Sequence, residues 1–295
     1  MYENCPQKFL WSKGWGDIDC GGGPGRKKPR PVEDSRHHAV MGCVIQTVVE
    51  KFYNDELWRQ KDGIAELLQE MTHKEFDLEV SRSYIDWDKS PPRQEMLEIC
   101  LNGVAGFLPT MKHHKLLGPY AKSEVDLVTW IDKWNPIGGR ADMIIRRNDT
   151  GITILDGKNS KHREKYVDPD QLRWYALCFY LIYNQLPDRL GFLYWRYPYG
   201  FKHDDGTVDT GVDWIDFTED DLKKLAKRAK KARWKMKEEQ FDPTPKPSYC
   251  KFCDYETVCP ARKEQRLQNI EKRRQNDPLE KKVDGVVDLG FDFVD

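Results

Sequence analysis

The chain has 295 residues, with 48 Lys and Arg against 49 Asp and Glu; 33% of it is charged and 12% aromatic. That length is ample for a core in one large domain or a domain with appendages, and with a near-zero balance the net charge alone does not point to nucleic acid. No apolar run approaches the roughly 20 residues that span a bilayer, and the N-terminus lacks the apolar stretch of a secretory leader, so the expectation is a soluble cytoplasmic protein.

Residues 12–35, rich in Gly, Pro and charge around "GGGPGRKKPRP", read as a basic loop. Helical patterns follow from His37 to Glu50 and beyond, from Ile64 to Met71, and from Gln94 to Phe107 after the break at Pro91-Pro92. Strands are expected over Glu124–Ile131, Arg140–Arg146 and Ile152–Asp156, the last two joined by Asn148-Asp149-Thr150-Gly151 as a β-hairpin. Asp168-Pro169 opens a long helix, with Pro near the first turn where no N–H is missed. "LGFLYWRYPYG" and "TVDTGVDWIDF" read as further strands. Thr218 and Asp221 form a capping box that starts a helix carrying nine basic residues between 222 and 238. The order of elements predicts an α/β core with helical decoration. The last thirteen residues hold four Asp and no Lys or Arg, so charge is segregated along the chain.

The hairpin raises the chemical question. Asp142 stands in one strand and Asp156-Gly157-Lys158 ends its partner, so two carboxylates and an amine converge on one edge of a sheet. Carboxylates held together call for positive charge between them, and a divalent cation answers that need. Without it, Asp142 is an edge residue and Asp156–Lys158 an ordinary surface ion pair.

Gly139 to Asp142, Asp156 to Lys158, and Gln171 with Tyr175 one helical turn apart together resemble the PD-(D/E)XK nuclease superfamily. The match is nearest its RecB-like branch, which includes nuclease domains of helicase–nuclease complexes and CRISPR-adaptation exonucleases. The resemblance implies a restriction-endonuclease-like α/β core, a central mixed sheet flanked by helices, with helical insertions. It also implies hydrolysis of DNA with Mg²⁺ or Mn²⁺ held by Asp142 and Asp156, the Gly157 carbonyl and residue 46. Lys158, Gln171, Tyr175 and Glu124 are the expected assisting groups. One departure is plain: Gln46, four residues after Gly42, stands where the branch usually has a metal-binding His. A Gln carbonyl can take a hard cation, less well than imidazole takes Mn²⁺.

Of eight cysteines, Cys43, Cys100 and Cys178 lie in apolar helical contexts and read as buried thiols. Cys250, Cys253 and Cys259 lie within ten residues, and four thiolates suit a zinc ion or an iron–sulfur cluster alike. "ENCPQKFLW" resembles the Cys-Pro-x-x-Phe opening of iron–sulfur members of the branch. That likeness implies a [4Fe–4S] clasp on Cys5, Cys250, Cys253 and Cys259, joining the two ends of the chain. A zinc knuckle using Cys20 is the alternative.

The expected organisation is a nuclease domain over residues 1–265: a cluster arm and basic loop (1–35), a helical part (36–115), the catalytic core (116–218), and the basic helix with the cysteine segment (219–265). A charged, then acidic, tail follows (266–295). On the basic helix, Lys227, Lys230, Lys231, Arg233 and Lys235 are candidate DNA contacts. The acidic tail is a candidate docking peptide for a recombinase, helicase or single-strand-binding protein. The expected activity is exonucleolytic, on DNA ends or single strands in recombination, repair or replication, in a bacterium or its phage. The alternative is a non-catalytic DNA-binding or scaffold subunit that keeps the fold and cluster.

Overall fold

The computed structural model describes residues 3–13, 37–60, 62–118, 121–160, 167–246, 250, 253, 255–256 and 258–275. The basic loop, Cys20 and the acidic tail lie outside them. The chain divides into two units, Asp34–Arg233 and Met1–Glu33 with Trp234–Asp295.

After α1 (Pro6–Lys13), which belongs to the smaller unit, the larger unit begins with three helices, α2 (His37–Asn54), α3 (Ile64–Arg82) and α4 (Arg93–His113), with a 3-10 turn at Leu57–Arg59. Val40, Val44, Ile45, Val48 and Phe52 recur at helical spacing along α2 and are buried against Phe76, Met96 and Phe107. α3 runs well past the expected Met71 because its later buried positions include Thr72 and Glu75. The Thr72 hydroxyl donates to the Leu68 carbonyl and Glu75 pairs with Lys51 at 2.5 Å, so the helix continues where apolar periodicity stops.

The sheet runs β1 (Ala121–Asp132), β2 (Asn135–Arg147), β3 (Gly151–Lys158), β4 (Arg189–Tyr194), β5 (Val212–Ile215), in that spatial order. The pairing is antiparallel except between β3 and β4, which are parallel and connected through α5 (Pro169–Tyr183). This is the mixed sheet expected. The strand expected over residues 190–200 ends at Tyr194 and the one expected over 207–217 is confined to Val212–Ile215.

Helices cover both faces. Met143, Ile145, Leu155 and Leu193 join the α2–α4 core, while Leu127, Ile152, Ile154 and Phe192 join α5 and the start of α6 (Glu219–Lys237). The expected capping box forms before α6, and α5 is capped as well. The Asp168 carboxylate accepts from the Asp170 N–H at the start of α5, and the Asp221 N–H donates to the Thr218 hydroxyl before α6.

The smaller unit holds α1 (Pro6–Lys13) and α7 (Pro260–Gln275). Within it the Thr244 hydroxyl donates to the Asn4 carbonyl at 3.0 Å, and the Trp11 and Tyr255 rings meet at 5.3 Å. Among the described residues no helix is long and apolar enough to cross a membrane.

Candidate active site

Asp142 and Asp156 sit on adjacent strands, and the β2–β3 turn brings them together as the sequence pattern required. The Gly157 N–H donates to Asp142 Oδ2 at 2.7 Å, tying the two strands at the site. Asp156 is buried. Its Oδ1 accepts from Gln171 Nε2 at 2.7 Å, while Oδ2 lies 2.5 Å from Lys158 Nζ and takes no directed hydrogen bond. Lys158 Nζ donates in turn to Gln171 Oε1 at 2.8 Å, and Gln171 Nε2 also reaches the Tyr175 hydroxyl oxygen at 3.1 Å. Gln171 thus holds the carboxylate with one end of its amide and the amine with the other. Both Gln171 and Tyr175 project from the first turns of α5, whose start the Asp168 cap and Pro169 fix.

Gln46 and Glu124 complete the cluster from outside the hairpin. Gln46 Nε2 donates to Glu124 Oε1 at 3.1 Å and to the Asp142 carbonyl at 3.4 Å. Gln46 thus stands beside Asp142, with its amide nitrogen turned to the Glu124 carboxylate and the Asp142 carbonyl, which leaves Oε1 as its acceptor atom. Glu124 adopts a left-handed backbone within β1, at φ 51, and the β1–β2 pairing skips it and Asp142.

Electrostatics single out the aspartates. The Asp142 carboxyl is pushed up to about 7, first by burial and then by the Asp156 charge. Asp156 is also raised, by burial, with Lys158 opposing. The Tyr175 hydroxyl is pushed up to about 12 by burial, which keeps it a neutral hydrogen-bonding group. Two neighbouring carboxylates that resist ionising beside one another, Asp156 buried and Asp142 half-buried, fit a hard divalent cation bound through oxygen.

An open cavity of about 530 Å³ lies over Asp142, Gly157 and Glu124, walled by Gln46 and neighbours on α2. Cys43 is one of those neighbours. It is exposed, not buried as its apolar surroundings suggested, because Val40, Val44 and Ile45 take the core side of α2 and leave residue 43 facing the cavity. Cys100 and Cys178 are buried as expected. Sequence reasoning passed over Arg140 and Trp195, which also line the cavity. Arg140 was open to discovery: it stands two residues before Asp142 in a strand. Trp195 was not, because its approach to Gly157 depends on the register of β3 with β4; a Cβ on Gly157 would lie 2.6 Å from the indole.

The basic residues of α6 are less uniform than the sequence implied. Lys227, Lys230 and Lys231 are exposed, Arg233 and Lys235 are half-buried, and Lys230 is paired with Asp132 at 2.7 Å. Leu222 and Leu225 seat this helix in the α5 core, on the sheet face opposite the α2–α4 core.

Cys5, Cys250, Cys253 and Cys259 all belong to the smaller unit and each is half-buried. Gln7 Oε1 lies 3.8 Å from the Cys259 sulfur. Among the described residues, no three or more Cys, His, Asp or Glu side chains are gathered into a metal-holding group.

A mixed sheet with Asp142, Asp156 and Lys158 at the meeting of β2 and β3 defines a nuclease-like α/β protein. A family profile described as the PD-(D/E)XK nuclease superfamily matches residues 1–260, and the chain belongs to that superfamily. Its members are generally metal-dependent nucleases that use Mg²⁺ or Mn²⁺, with DNA as the implied substrate. No curated protein matches the chain. Among solved structures, one titled "Crystal structure of SSO0001" is similar at 19% identity and a TM-score of 0.31, covering 57% of this chain and 78% of that one.

Proposed function

We propose that this chain is a Mg²⁺- or Mn²⁺-dependent deoxyribonuclease of the RecB-like branch, acting as an exonuclease on DNA ends or single strands in recombination, repair or replication, with a phage as one source. The observation that carries the reading is the linked set in which Asp142 accepts from the Gly157 N–H while Asp156 is joined to Lys158 both directly and through the Gln171 amide. Asp142 and Asp156 would hold the metal, with the Gly157 carbonyl and Gln46 Oε1 as further oxygen ligands. When bound, the ion supplies Lewis acidity toward the phosphate and lowers the pKa of water beside it.

The chain's own residues supply the rest. Lys158 Nζ, fixed between Asp156 and Gln171, is a preorganised positive charge for the phosphate as negative charge builds on it. Gln171 keeps that amine in place and Tyr175 offers a hydroxyl to a phosphate oxygen. Glu124, at the cavity wall, is placed to accept a proton from attacking water. The exposed lysines of α6 would add non-specific attraction for the DNA backbone.

Digestion of end-labelled single- and double-stranded DNA, with Mg²⁺, Mn²⁺ or chelator, tests this. Asp142→Ala, Asp156→Ala and Lys158→Ala should each abolish cleavage while DNA binding persists; wild-type turnover in any of them under single-turnover conditions refutes the assigned site. The second reading, a non-catalytic DNA-binding subunit, draws on Gln46 turning its NH₂ to Glu124, and predicts binding without cleavage in every metal.

We further read Cys5, Cys250, Cys253 and Cys259 as ligands of one [4Fe–4S] cluster. Support comes from their sharing one unit in which Asn4 and Gln7, beside Cys5, contact Thr244 and Cys259. Iron and sulfide analysis after anaerobic purification decides between cluster and zinc, and Cys20→Ser should leave the metal content unchanged.

A further inference from the structure

The outer half of the β1–β2 hairpin is covered on one side only. Leu127 and Ala141 are buried in the α5 core, with Val125 and Ile137 packed beside them. On the opposite side the described residues are exposed. Its rungs, taken from the tip inward, are Trp130 with Pro136, Val128 with Gly138, and Asp126 with Arg140. All six residues are exposed, Val128 at 72% and Trp130 at 56%. A large apolar side chain left in water on successive rungs calls for an occupant.

Position and chemistry say which occupant. The same strand runs from Pro136 to Asp142, six residues or about 20 Å of extended chain, so whatever lies along the bare face arrives at the acidic cavity. Arg140 lines that cavity and stands at the inner end of the face, its guanidinium 2.8 Å from Asp126 and 3.8 Å from Glu124. Lys133 stands at the tip, over the Trp134 ring at 5.0 Å. A cation at each end with aromatic and apolar surface between suits a polymer whose phosphates and base faces are both accessible. Duplex DNA hides its base faces, and two apolar rungs fall well short of the roughly 800 Å² per partner typical of a stable protein interface.

We propose that this face of the hairpin is a stacking platform that leads single-stranded DNA into the cavity, with Trp130 stacking on a base and Arg140 meeting the phosphate nearest the site. The proposal rests on the nuclease reading and adds to it a strand preference and a path.

The test uses the full chain in the Asp142→Asn background, without divalent metal, and anisotropy of labelled single-stranded and blunt duplex oligonucleotides. Trp130→Ala should weaken single-strand binding about tenfold, in the range of one stacked base, with duplex binding changed less than twofold and Trp130→Phe restoring most of the loss. Thermal unfolding should be unaltered because the indole is exposed. Equal loss on both substrates, or no loss on single strands, overturns the platform while wild-type cleavage leaves the nuclease reading intact. If neither the background protein nor wild type binds DNA and wild type cleaves none, the nuclease reading and the platform fall together. Self-association that Trp130→Ala abolishes, with single-strand affinity unchanged, assigns the face to a second copy and also overturns the proposal.

Discussion

Asp142→Asn should do two opposite things: end cleavage and stabilise the metal-free protein, the second only above acid pH. In the fold the Asp142 carboxyl is pushed up to about 7, by burial first and the Asp156 charge second. A folded-state value above the unfolded one means the protonated form favours folding. That stabilisation is whole below the ordinary carboxylate range and is lost as pH rises toward 7. Between pH 5 and pH 7 the loss is about 2 kcal/mol, from about 1.36 kcal/mol per pH unit with the slope falling as the group ionises near 7. An amide at residue 142 does not ionise, and its oxygen can still accept from the Gly157 N–H. Because Asp156 shares the repulsion, the net gain of the variant over wild type should grow by roughly 2 kcal/mol from pH 5 to pH 8. Urea unfolding of both proteins in chelator at the two pH values measures it. A stability difference that is the same at both would refute the idea that the buried acid pair is held at a cost in the absence of metal. Added Mg²⁺ should close the gap by stabilising wild type alone.

Gln171→Ala removes the amide that joins Asp156, Lys158 and Tyr175; the cleavage rate should fall by about two orders of magnitude, while Tyr175→Phe, which keeps the ring, should lose far less. Single-turnover rates compare them, and equal effects would show that the amide bridge is not what positions Lys158. Gly157→Ala puts a Cβ 2.6 Å from the Trp195 indole, so it should cost about 1–3 kcal/mol of stability and lower activity with it; a variant unfolding like wild type in urea would refute the claim that the indole packs tightly on residue 157. Gln46→His should raise the Mn²⁺/Mg²⁺ activity ratio, since imidazole is the softer ligand, and an unchanged ratio would place residue 46 outside the metal's reach.

The parts of the site that were legible in sequence are those fixed by local chemistry. The Asn148–Gly151 turn sets the hairpin, Gly151 taking φ 69, and the turn brings Asp156 back alongside β2. Asp168 and Pro169 fix where α5 starts, and helical spacing then aligns Gln171 with Tyr175. What could not be read depends on partners distant in the chain. Trp195 reaches Gly157 only through the parallel β3–β4 pairing, and Cys43 faces the cavity because of which side of α2 the core claims. α4 continues past the expected Phe107 and through Pro109 to His113, with Thr110 and Met111 buried beyond it, so tertiary packing outweighs the break a proline suggests.

The sheet itself breaks its alternation at the place where the acids gather. Ala141 joins the α5 core and Met143 the α2–α4 core, on opposite faces, although residues two apart in a regular strand share a face. The change of side falls at Asp142, where the pairing with β1 skips both Asp142 and Glu124. Glu124 there adopts a left-handed backbone, which costs a residue other than Gly about 1–3 kcal/mol. Gln46 and Arg140 then hold its carboxylate, the first by a hydrogen bond and the second at 3.8 Å. The irregularity turns the edge of an otherwise ordinary hairpin so that Glu124 and Asp142 both border one cavity. A strand that kept its period would present residues 140, 142 and 144 to one side in sequence; this one presents Arg140 and Asp142 to the cavity and returns Ile144 to the α5 core. The strain is therefore placed where it changes which groups meet: because both strands change side at one rung, Glu124 and Asp142 border the same cavity instead of facing opposite layers of the fold.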